Sequence, residues 1–270
     1  MRPSDRRPIG VFDSGVGGLT VLKALRARLP GESTLYLGDT ARVPYGTKSP
    51  EVVTRYSLKN AEFLMKHDIK MLVVACNTAS SVALPALSAA LGIPVLGVIE
   101  PGARAAAKQT RSGRVGVIGT QGTIASGAYQ RALTALNPGV QVLSVACPLF
   151  VPLAEEGWLT GEIPRRVAEA YLQGLAAEGV DTLVLGCTHY PLLSAAISQV
   201  MGPTVTLVDS AEATAEVAVG ELRRQELLAP EGQSPVHRAF VTDTPAAFLK
   251  VAARFLGEPL ADAEQVDLTF

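Results

Sequence analysis

The chain has 270 residues, enough for about two domains with cores of their own, and its formal net charge at pH 7 is −1. Aromatic residues make up 5% of it and the lysines and arginines are scattered, which excludes a basic face or stacking platform for nucleic acid. No apolar run approaches the roughly 18 residues of a membrane span, and Met1–Pro8 gives way to a strand too soon for a signal peptide. We therefore expect a soluble, cytoplasmic protein that binds a small molecule.

Short apolar runs alternate with helix-length segments along the chain. The runs predict strands at Ile9–Phe12, Thr34–Leu37, Met71–Ala75, Val95–Gly97, Val115–Ile118, Val140–Val145, Thr182–Leu185, Val205–Val208 and Ala239–Val241. Helices are predicted at Leu19–Leu29, Ser49–Lys66, Val167–Leu175, after Ser210 and at Pro245–Leu256. Strands and helices that alternate in this way indicate an α/β fold, with mainly parallel sheets flanked by helices.

Two short sequence motifs each occur twice in the chain, in similar but not identical form. Leu72–Thr78 reads LVVACNT and Leu183–His189 reads LVLGCTH, a displacement of 111 positions. Ile9–Gly15 matches Val115–Gln121 with a displacement of 106 positions, and one loop insertion explains the difference. The repeat predicts two pseudosymmetric halves.

The repeat also sets the predicted domain boundaries, because no linker rich in Pro, Gly or Ser marks one. The first copy gives residues 1–98 and the second gives residues 99–209. With no third copy visible, residues 210–270 are expected to return to the first domain. The prediction is therefore two pseudosymmetric α/β domains with the active site between them.

Cys76 and Cys187 each stand at the carboxyl end of a predicted strand, before a segment that can open a helix. Ligands bind at this edge of open parallel sheets, and the N–H groups and positive dipole end of a helix start favour a thiolate. The small number of cysteines fits reduced thiols better than a disulfide framework, and Cys147 is expected to be a buried filler. Two facing half-sites with a thiol each would enclose one small ligand.

The segment Asp13–Gly18 lies between a strand and a helix, like a dinucleotide-binding loop. It lacks the third glycine of that motif because Thr20 stands there, and only Asp39 offers an acidic residue near the ribose-binding distance. We expect its glycines to let backbone N–H groups approach a small carboxylate ligand instead. Asp13 itself is either a helix cap or a partner that orients or accepts a proton from an amino group or thiol.

His189 stands two positions after Cys187, so in an extended segment the two side chains would share a face and the imidazole could relay the thiol's proton. Zinc is the competing use of this pair together with Cys76, but the spacing is unusual and no fourth ligand is evident, so we predict no metal. Glu155 and Glu156 are either a solvated face, as neighbouring glutamates usually are, or a pair in which the preceding apolar run and Trp158 partly bury one carboxylate and help it to hold a proton.

Five motifs, in order, resemble those of glutamate racemases. They are Asp13-Ser14-Gly15, Pro44-Tyr45-Gly46, Cys76-Asn77-Thr78, the segment at Glu155, and Gly186-Cys187-Thr188-His189-Tyr190-Pro191. The resemblance spans about Ile9 to Asp209. It implies a cofactor-independent, two-base enzyme that interconverts L- and D-glutamate, supplies D-glutamate for bacterial peptidoglycan and forms a homodimer.

The resemblance also implies roles for single residues. Cys76 would take the α-proton from D-glutamate and Cys187 from L-glutamate. Asp13 would assist Cys76, while His189 and Glu155, rather than the glutamate that follows it, would assist Cys187. Substrate binding would fall to Asp13, Ser14, Tyr45, Gly46, Asn77, Thr78, Thr188 and His189, with Thr120 and Thr123 as weaker candidates.

Racemisation removes a proton from one face of a carbon and returns one to the other, so one sulfur must be a thiolate while the other stays a thiol. This predicts a bell-shaped pH dependence. Alternatives within the superfamily are an aspartate or hydantoin racemase, or a decarboxylase with a single thiol, which the paired cysteines disfavour. From another class, a periplasmic-type binding module also clasps small ligands between two lobes, but it would not exchange the α-proton with D₂O.

Overall fold

A computed structural model describes residues 4–268. Its strands are β1 (Ile9–Asp13), β2 (Thr34–Gly38), β3 (Met71–Val74), β4 (Val95–Gly97), β5 (Arg114–Gly119), β6 (Gln141–Ala146), β7 (Thr182–Gly186), β8 (Thr206–Asp209), β9 (His237–Val241) and β10 (Glu264–Gln265). Its α-helices are α1 (Leu19–Arg28), α2 (Pro50–Met65), α3 (Asn77–Val82), α4 (Leu84–Ala90), α5 (Ile99–Gln109), α6 (Gln121–Ala125), α7 (Ala128–Leu136), α8 (Phe150–Glu156), α9 (Glu162–Ala177), α10 (Ser194–Met201), α11 (Ser210–Arg224) and α12 (Pro245–Leu256). All nine predicted strands are present, with ends within two residues of the prediction.

The strands form two parallel sheets with matching order. The first sheet runs β10-β9-β2-β1-β3-β4 and the second runs β6-β5-β7-β8. The inner order β2-β1-β3-β4 of the first sheet is repeated as β6-β5-β7-β8 in the second. We call the first sheet with its helices the first lobe and the second sheet with its helices the second lobe. The repeat seen in the sequence is thus a repeat of topology.

Segments after residue 210 extend the first sheet. Strand β9 pairs with β2, and β10 pairs with β9. The sheet to which these strands belong supports our proposal that residues 1–98 and 210–270 make one domain. Strand β10 was not predicted, because two exposed polar residues give no apolar run.

Each sheet has a core on both faces, because side chains of a strand point alternately up and down. In β1, Val11 packs into one core of the first lobe and Phe12 into the other. In β7, Leu183 and Val184 divide in the same way between the two cores of the second lobe. Within residues 4–268, no helix is long and apolar enough to cross a membrane.

Local signals in the sequence fix the helix ends. Helix α2 begins at Pro50, where the hydroxyl of Ser49 accepts the N–H of Val52 at 3.4 Å. Helices α8 and α12 each end at a glycine in the left-handed region, Gly157 with φ 80° and Gly257 with φ 86°. The end of α8 matters for the site, because Glu155 lies in its last turn.

Candidate active site

A narrow cavity of about 60 Å³ lies at the carboxyl ends of the two sheets, between the lobes. Its lining residues are Ser14, Gly15, Val43, Pro44, Tyr45, Gly46, Cys76, Asn77, Thr78, Thr120, Val151, Glu155, Cys187, Thr188 and His189. Of the catalytic and substrate-binding residues predicted from the sequence, only Asp13 and the weaker candidate Thr123 are not among them. The folded chain therefore brings the predicted residues of both repeats to one place.

Cys76 lies between β3 and α3 and is 6% exposed. Its thiol donates to the hydroxyl of Ser14 at 3.6 Å and accepts the backbone N–H of Ala79 at 3.5 Å. Burial, with a further contribution from the neighbouring Asp13 carboxylate, raises the pKa of Cys76 to about 12. The expectation that a helix start favours a thiolate here is therefore wrong, because lost hydration outweighs one long N–H contact.

Asp13 is the last residue of β1 and is fully buried. Its Oδ2 accepts the N–H of Gly15 at 2.9 Å, while Oδ1 has no hydrogen-bond partner within residues 4–268. Burial raises the pKa of Asp13, although His189 and backbone N–H groups oppose the rise. The N-cap residue of α1 is Gly18 and not Asp13, so the simple capping interpretation is wrong. Asp13 is therefore a buried carboxyl group near Cys76, with one oxygen that has no hydrogen-bond partner among the described residues.

The glycines of the first loop make room for the site's own side chains. A Cβ on Gly17 would come within 2.2 Å of the Thr188 hydroxyl and 2.5 Å of the His189 ring. A Cβ on Gly18 would come within 2.5 Å of the Asp13 side chain. The expectation that these two glycines admit a ligand is wrong, since protein atoms fill the space; of the loop's glycines, only Gly15 lines the cavity.

The Cys187 half carries a linked histidine and glutamate. Cys187 follows β7 and is 6% exposed, and Nδ1 of His189 lies 3.8 Å from its Sγ. Nε2 of His189 lies 2.9 Å from Oε1 of Glu155, which identifies Glu155 rather than Glu156 as the contacting carboxylate. His189 has helical backbone angles, φ −82° and ψ −30°. A turn, and not the predicted extended segment, brings thiol and imidazole together.

The charge on His189 follows from these contacts. Burial lowers the pKa of His189, but the contacts with Cys187 and Glu155 outweigh it and raise the pKa to about 10. An imidazole of this kind keeps its proton across the neutral range and places a positive charge beside the sulfur. Positive charge beside a cysteine favours the reactive thiolate. The side chain of Glu155 is 45% exposed to solvent, so the partial burial predicted for it is wrong.

Helix α12 of the first lobe packs against His189 and against the end of α8 that carries Glu155. The ring of Phe255 meets the ring of His189 edge to face, with centroids 5.0 Å apart. The guanidinium of Arg254 donates to the carbonyl of Ala154 at 3.3 Å and also to the carbonyl of Glu155, at the end of α8. Neither contact could be predicted from the sequence, because helical spacing predicts only which face of α12 is buried.

Tyr45 lines the cavity, but its hydroxyl is held on the first lobe. That hydroxyl donates to Asp39 and accepts the Asn60 side-chain N–H at 3.1 Å. The other oxygen of Asp39 accepts from Arg42 at 2.8 Å and from Thr242 at 2.9 Å. Asp39 is fully buried in this network, so it does not offer the exposed carboxylate that a ribose would need.

Three threonine hydroxyls join the lobes at the cavity wall. Thr78 of the first lobe lies 2.9 Å from Thr120 and 3.2 Å from Thr123, and these two are 3.0 Å apart. Thr120 and Thr123 were only weaker candidates in the sequence, yet they hold the substrate-binding candidate Thr78 in place. Tyr129, which the sequence did not single out, reaches Asn77 in the same region, its hydroxyl donating to Oδ1 at 2.8 Å.

The cysteines were also considered as disulfide partners and as metal ligands. All three cysteines are unpaired, and Cys147 is buried in the core of the second lobe with its thiol 3.7 Å from the Val145 carbonyl. Within the part of the chain that the structure describes, no three His, Cys, Asp or Glu side chains gather as a metal site.

Comparison with known proteins decides the family. The Asp/Glu/Hydantoin racemase family matches residues 19–218. A glutamate racemase of Geobacter metallireducens is 62% identical over 262 residues, 97% of each chain. The chain belongs to the Asp/Glu/Hydantoin racemase family.

Solved structures of the family share the whole architecture. A glutamate racemase isoform from Bacillus anthracis matches with a TM-score of 0.92 and 43% identity, covering 98% of both chains. A glutamate racemase from Francisella tularensis in complex with D-glutamate matches with a TM-score of 0.92 and 38% identity, again over 98% of both chains. These comparisons confirm the predicted α/β fold and the predicted enzyme class, an amino-acid racemase and hence an isomerase.

Proposed function

We propose that the protein interconverts L- and D-glutamate with its two cysteines as the acid and base, and without a cofactor. One observation carries this proposal: Cys76 and Cys187 follow equivalent strands of the two lobes and line a single cavity. Glutamate as the substrate is supported by relatives that carry the name glutamate racemase at up to 62% identity.

In the L-to-D direction the Cys187 thiolate takes the α-proton, which breaks the Cα–H bond and leaves its electron pair on carbon. The Cys76 thiol then gives its proton to the opposite face of that carbon. The enzyme is left with a Cys187 thiol and a Cys76 thiolate, and proton exchange with solvent restores the starting form. The D-to-L direction uses the same atoms in reverse.

The two partners of the cysteines suit these roles. The imidazolium of His189, held by Glu155, stabilises the charge that Cys187 carries before it acts. On the other side, burial keeps Cys76 a thiol, the form that donates. An ammonium group of the substrate beside Asp13 and Cys76 would offset part of that burial cost when Cys76 has to act as the base.

The carbanion formed next to the α-carboxylate needs hydrogen-bond donors and an environment that excludes water. We assign this task to the donors around Asn77 and Thr78 and around Thr188, all of which are buried at the cavity. Preorganised donors of this kind contribute more than in water, because the local dielectric is low. Ser14 and the backbone at Tyr45–Gly46 complete the substrate contacts in this proposal.

Racemisation of free amino acids tests the proposal. The purified protein, dialysed against a chelator and given no added cofactor, should abolish the circular dichroism of L-glutamate far faster than that of L-aspartate. A faster reaction with L-aspartate would replace glutamate as the substrate. A requirement for pyridoxal phosphate or for a metal would contradict the two-cysteine mechanism.

We further propose that the enzyme works as a homodimer in the cytoplasm and supplies D-glutamate for peptidoglycan. Unpaired cysteines suit a reducing compartment. Expression of the chain should restore growth of a bacterial strain that needs external D-glutamate, whereas the Cys76→Ala variant should not. Light scattering after size exclusion should give the mass of two chains; a monomer that is fully active would contradict the dimer.

A further inference from the structure

Tyr129 lies on α7 of the second lobe and is 3% exposed. Its hydroxyl crosses to the first lobe and donates to Oδ1 of Asn77 at 2.8 Å. We propose that Tyr129 is a positioning residue that orients the Asn77 amide, so that the NH₂ group of Asn77 faces a carboxylate of the substrate. This role rests on the proposed glutamate racemase function.

The hydrogen bonds of the Asn77 amide carry the proposal. Asn77 lines the cavity and is 3% exposed, and its Nδ2 has no hydrogen-bond partner within residues 4–268. Buried donors normally find an acceptor, because an unmade hydrogen bond costs free energy. The oxygen and nitrogen of an amide lie in one plane and point in different directions from the same carbon, so a phenol that fixes Oδ1 also fixes the direction of Nδ2. A carboxylate is an acceptor only and would complete this donor.

Tyr129 is well suited to hold the Asn77 amide with Oδ1 toward the phenol and Nδ2 toward the substrate. Burial raises the pKa of Tyr129 above its usual range, so the phenol keeps the proton that it donates. Glycines leave room for the ring: a Cβ on Gly102 would lie 3.2 Å from the phenol oxygen, and a Cβ on Gly186 would lie 3.1 Å from the ring. The ring therefore has little freedom to turn away.

The position of Tyr129 also links the two half-sites. Gly186, against which the ring packs, directly precedes Cys187, whereas Asn77 directly follows Cys76. The neighbouring Thr78 is likewise held from the second lobe, by Thr120. The orientation of the Asn77 amide is thus set by the lobe that carries the opposite cysteine.

The Tyr129→Phe variant keeps the ring and removes the hydroxyl. We expect KM to rise about ten-fold for both enantiomers while kcat stays within about two-fold, as for the loss of one oriented hydrogen bond. The matched control is Tyr190→Phe, which removes another buried hydroxyl, one that donates to the Cys147 carbonyl at 2.8 Å. This control should keep the KM of the wild type, so a general effect of losing a buried hydroxyl is separated from a role at Asn77.

A double-mutant cycle completes the test, with thermal unfolding of each variant to show that it is folded. In the Asn77→Ala background, Tyr129→Phe should raise KM no further, because the amide that it orients is gone. Effects that add in the double variant, or a Tyr129→Phe KM equal to that of Tyr190→Phe, would overturn the role of Tyr129. If the wild type fails to racemise glutamate, the proposed function is at fault; if it succeeds and Tyr129→Phe is unchanged, only this inference fails.

Discussion

The two cysteines occupy equivalent positions but have different acid–base partners. Cys76 has a buried carboxylate nearby and a pKa raised to about 12, whereas Cys187 has an imidazole 3.8 Å away that holds its proton to about pH 10. The proposed two-cysteine mechanism needs one thiol and one thiolate at a time, because two thiols or two thiolates cannot move a proton from one face to the other, and the different partners favour such a state. The asymmetry lies in the neighbours, not in the sulfur positions.

Alanine at either cysteine should separate the two proton transfers. Cys76→Ala and Cys187→Ala should each lower racemisation by about 10³-fold or more, because one face of the carbon loses its acid or base. With only Cys187 present, L-glutamate should still exchange its α-proton with D₂O, and with only Cys76 present D-glutamate should do so. Mass spectrometry of the separated enantiomers measures this. Exchange of the wrong enantiomer by either variant would reverse the assigned faces.

The pH dependence reports on His189. As the pH rises through about 10, the imidazolium loses its proton and the charge beside Cys187 disappears, so kcat/KM should fall on the alkaline side. The Glu155 contact helps to raise the pKa of His189, so Glu155→Gln should move this fall to lower pH and lower kcat/KM at pH 7 by about ten-fold.

The neighbouring glutamate provides the control for this measurement. Glu156→Gln removes an equal charge one residue away and should leave the profile unchanged. Because the two enantiomers have equal free energy, kcat/KM must be the same in both directions at every pH, which checks the data internally. A profile that Glu155→Gln leaves unmoved, or that it moves to higher pH, would contradict the relay.

At the scale of elements, α12 is the support of the Cys187 half. Arg254→Gln should release the end of α8 and loosen Glu155, with kcat/KM about ten-fold lower and the alkaline fall displaced in the same direction as in Glu155→Gln. Lys250→Gln, an exposed change on the same helix, should do neither. Arg254→Lys keeps a donor and should recover part of the loss. An Arg254→Gln enzyme with the wild-type profile would show that α12 only packs.

Element by element, the sequence allowed the strands to be predicted because buried parallel strands are short β-branched runs, visible without any knowledge of the fold. The residues after β3 and β7 could be predicted as site residues for the same reason, since a parallel sheet aligns its carboxyl ends. The contacts of Tyr129 and Arg254 could not be predicted. They depend on how two lobes meet, and no local pattern encodes that arrangement.

Two interpretations failed for a related reason. Gly17 and Gly18 were expected to admit a ligand, but the atoms that need their space belong to Thr188, His189 and Asp13. The helix start at Cys76 was expected to favour a thiolate, but the depth of burial decides the sign of the pKa shift. Motif and spacing identify which residues meet, whereas burial decides how each of them is charged.

At the scale of the molecule, a buried ion pair links the amino-terminal ends of strands in the first sheet, at the end opposite the site. Nζ of Lys70 lies 2.6 Å from Oε2 of Glu32 and donates to the Asp5 carbonyl at 2.7 Å, and both charged side chains are almost fully buried. Oε1 of Glu32 accepts the N–H of Ala229 at 2.7 Å. The pair thereby joins the amino-terminal segment, the starts of β2 and β3 and the chain that leads to β9.

Loss of one partner should lower stability and spare activity. Lys70→Met leaves the Glu32 carboxylate buried without its cation and should lower the free energy of unfolding by about 3–5 kcal/mol, with kcat and KM unchanged at 25 °C. Denaturant unfolding measures this. Glu32→Leu with Lys70→Met should recover part of the loss, since no charge remains buried. A single variant as stable as the wild type would show that the pair contributes little.

Isotope incorporation by the unmodified enzyme tests the pair of opposed thiols most directly. L-Glutamate is incubated in D₂O, and the reaction is stopped in the first few per cent of conversion. Both enantiomers are then separated, and mass spectrometry measures the deuterium content of each. The D-glutamate should carry one α-deuterium while the remaining L-glutamate carries none, because the proton removed by Cys187 is not the one that Cys76 delivers. Deuterium appearing equally early in the L-glutamate would mean that a single group serves both faces.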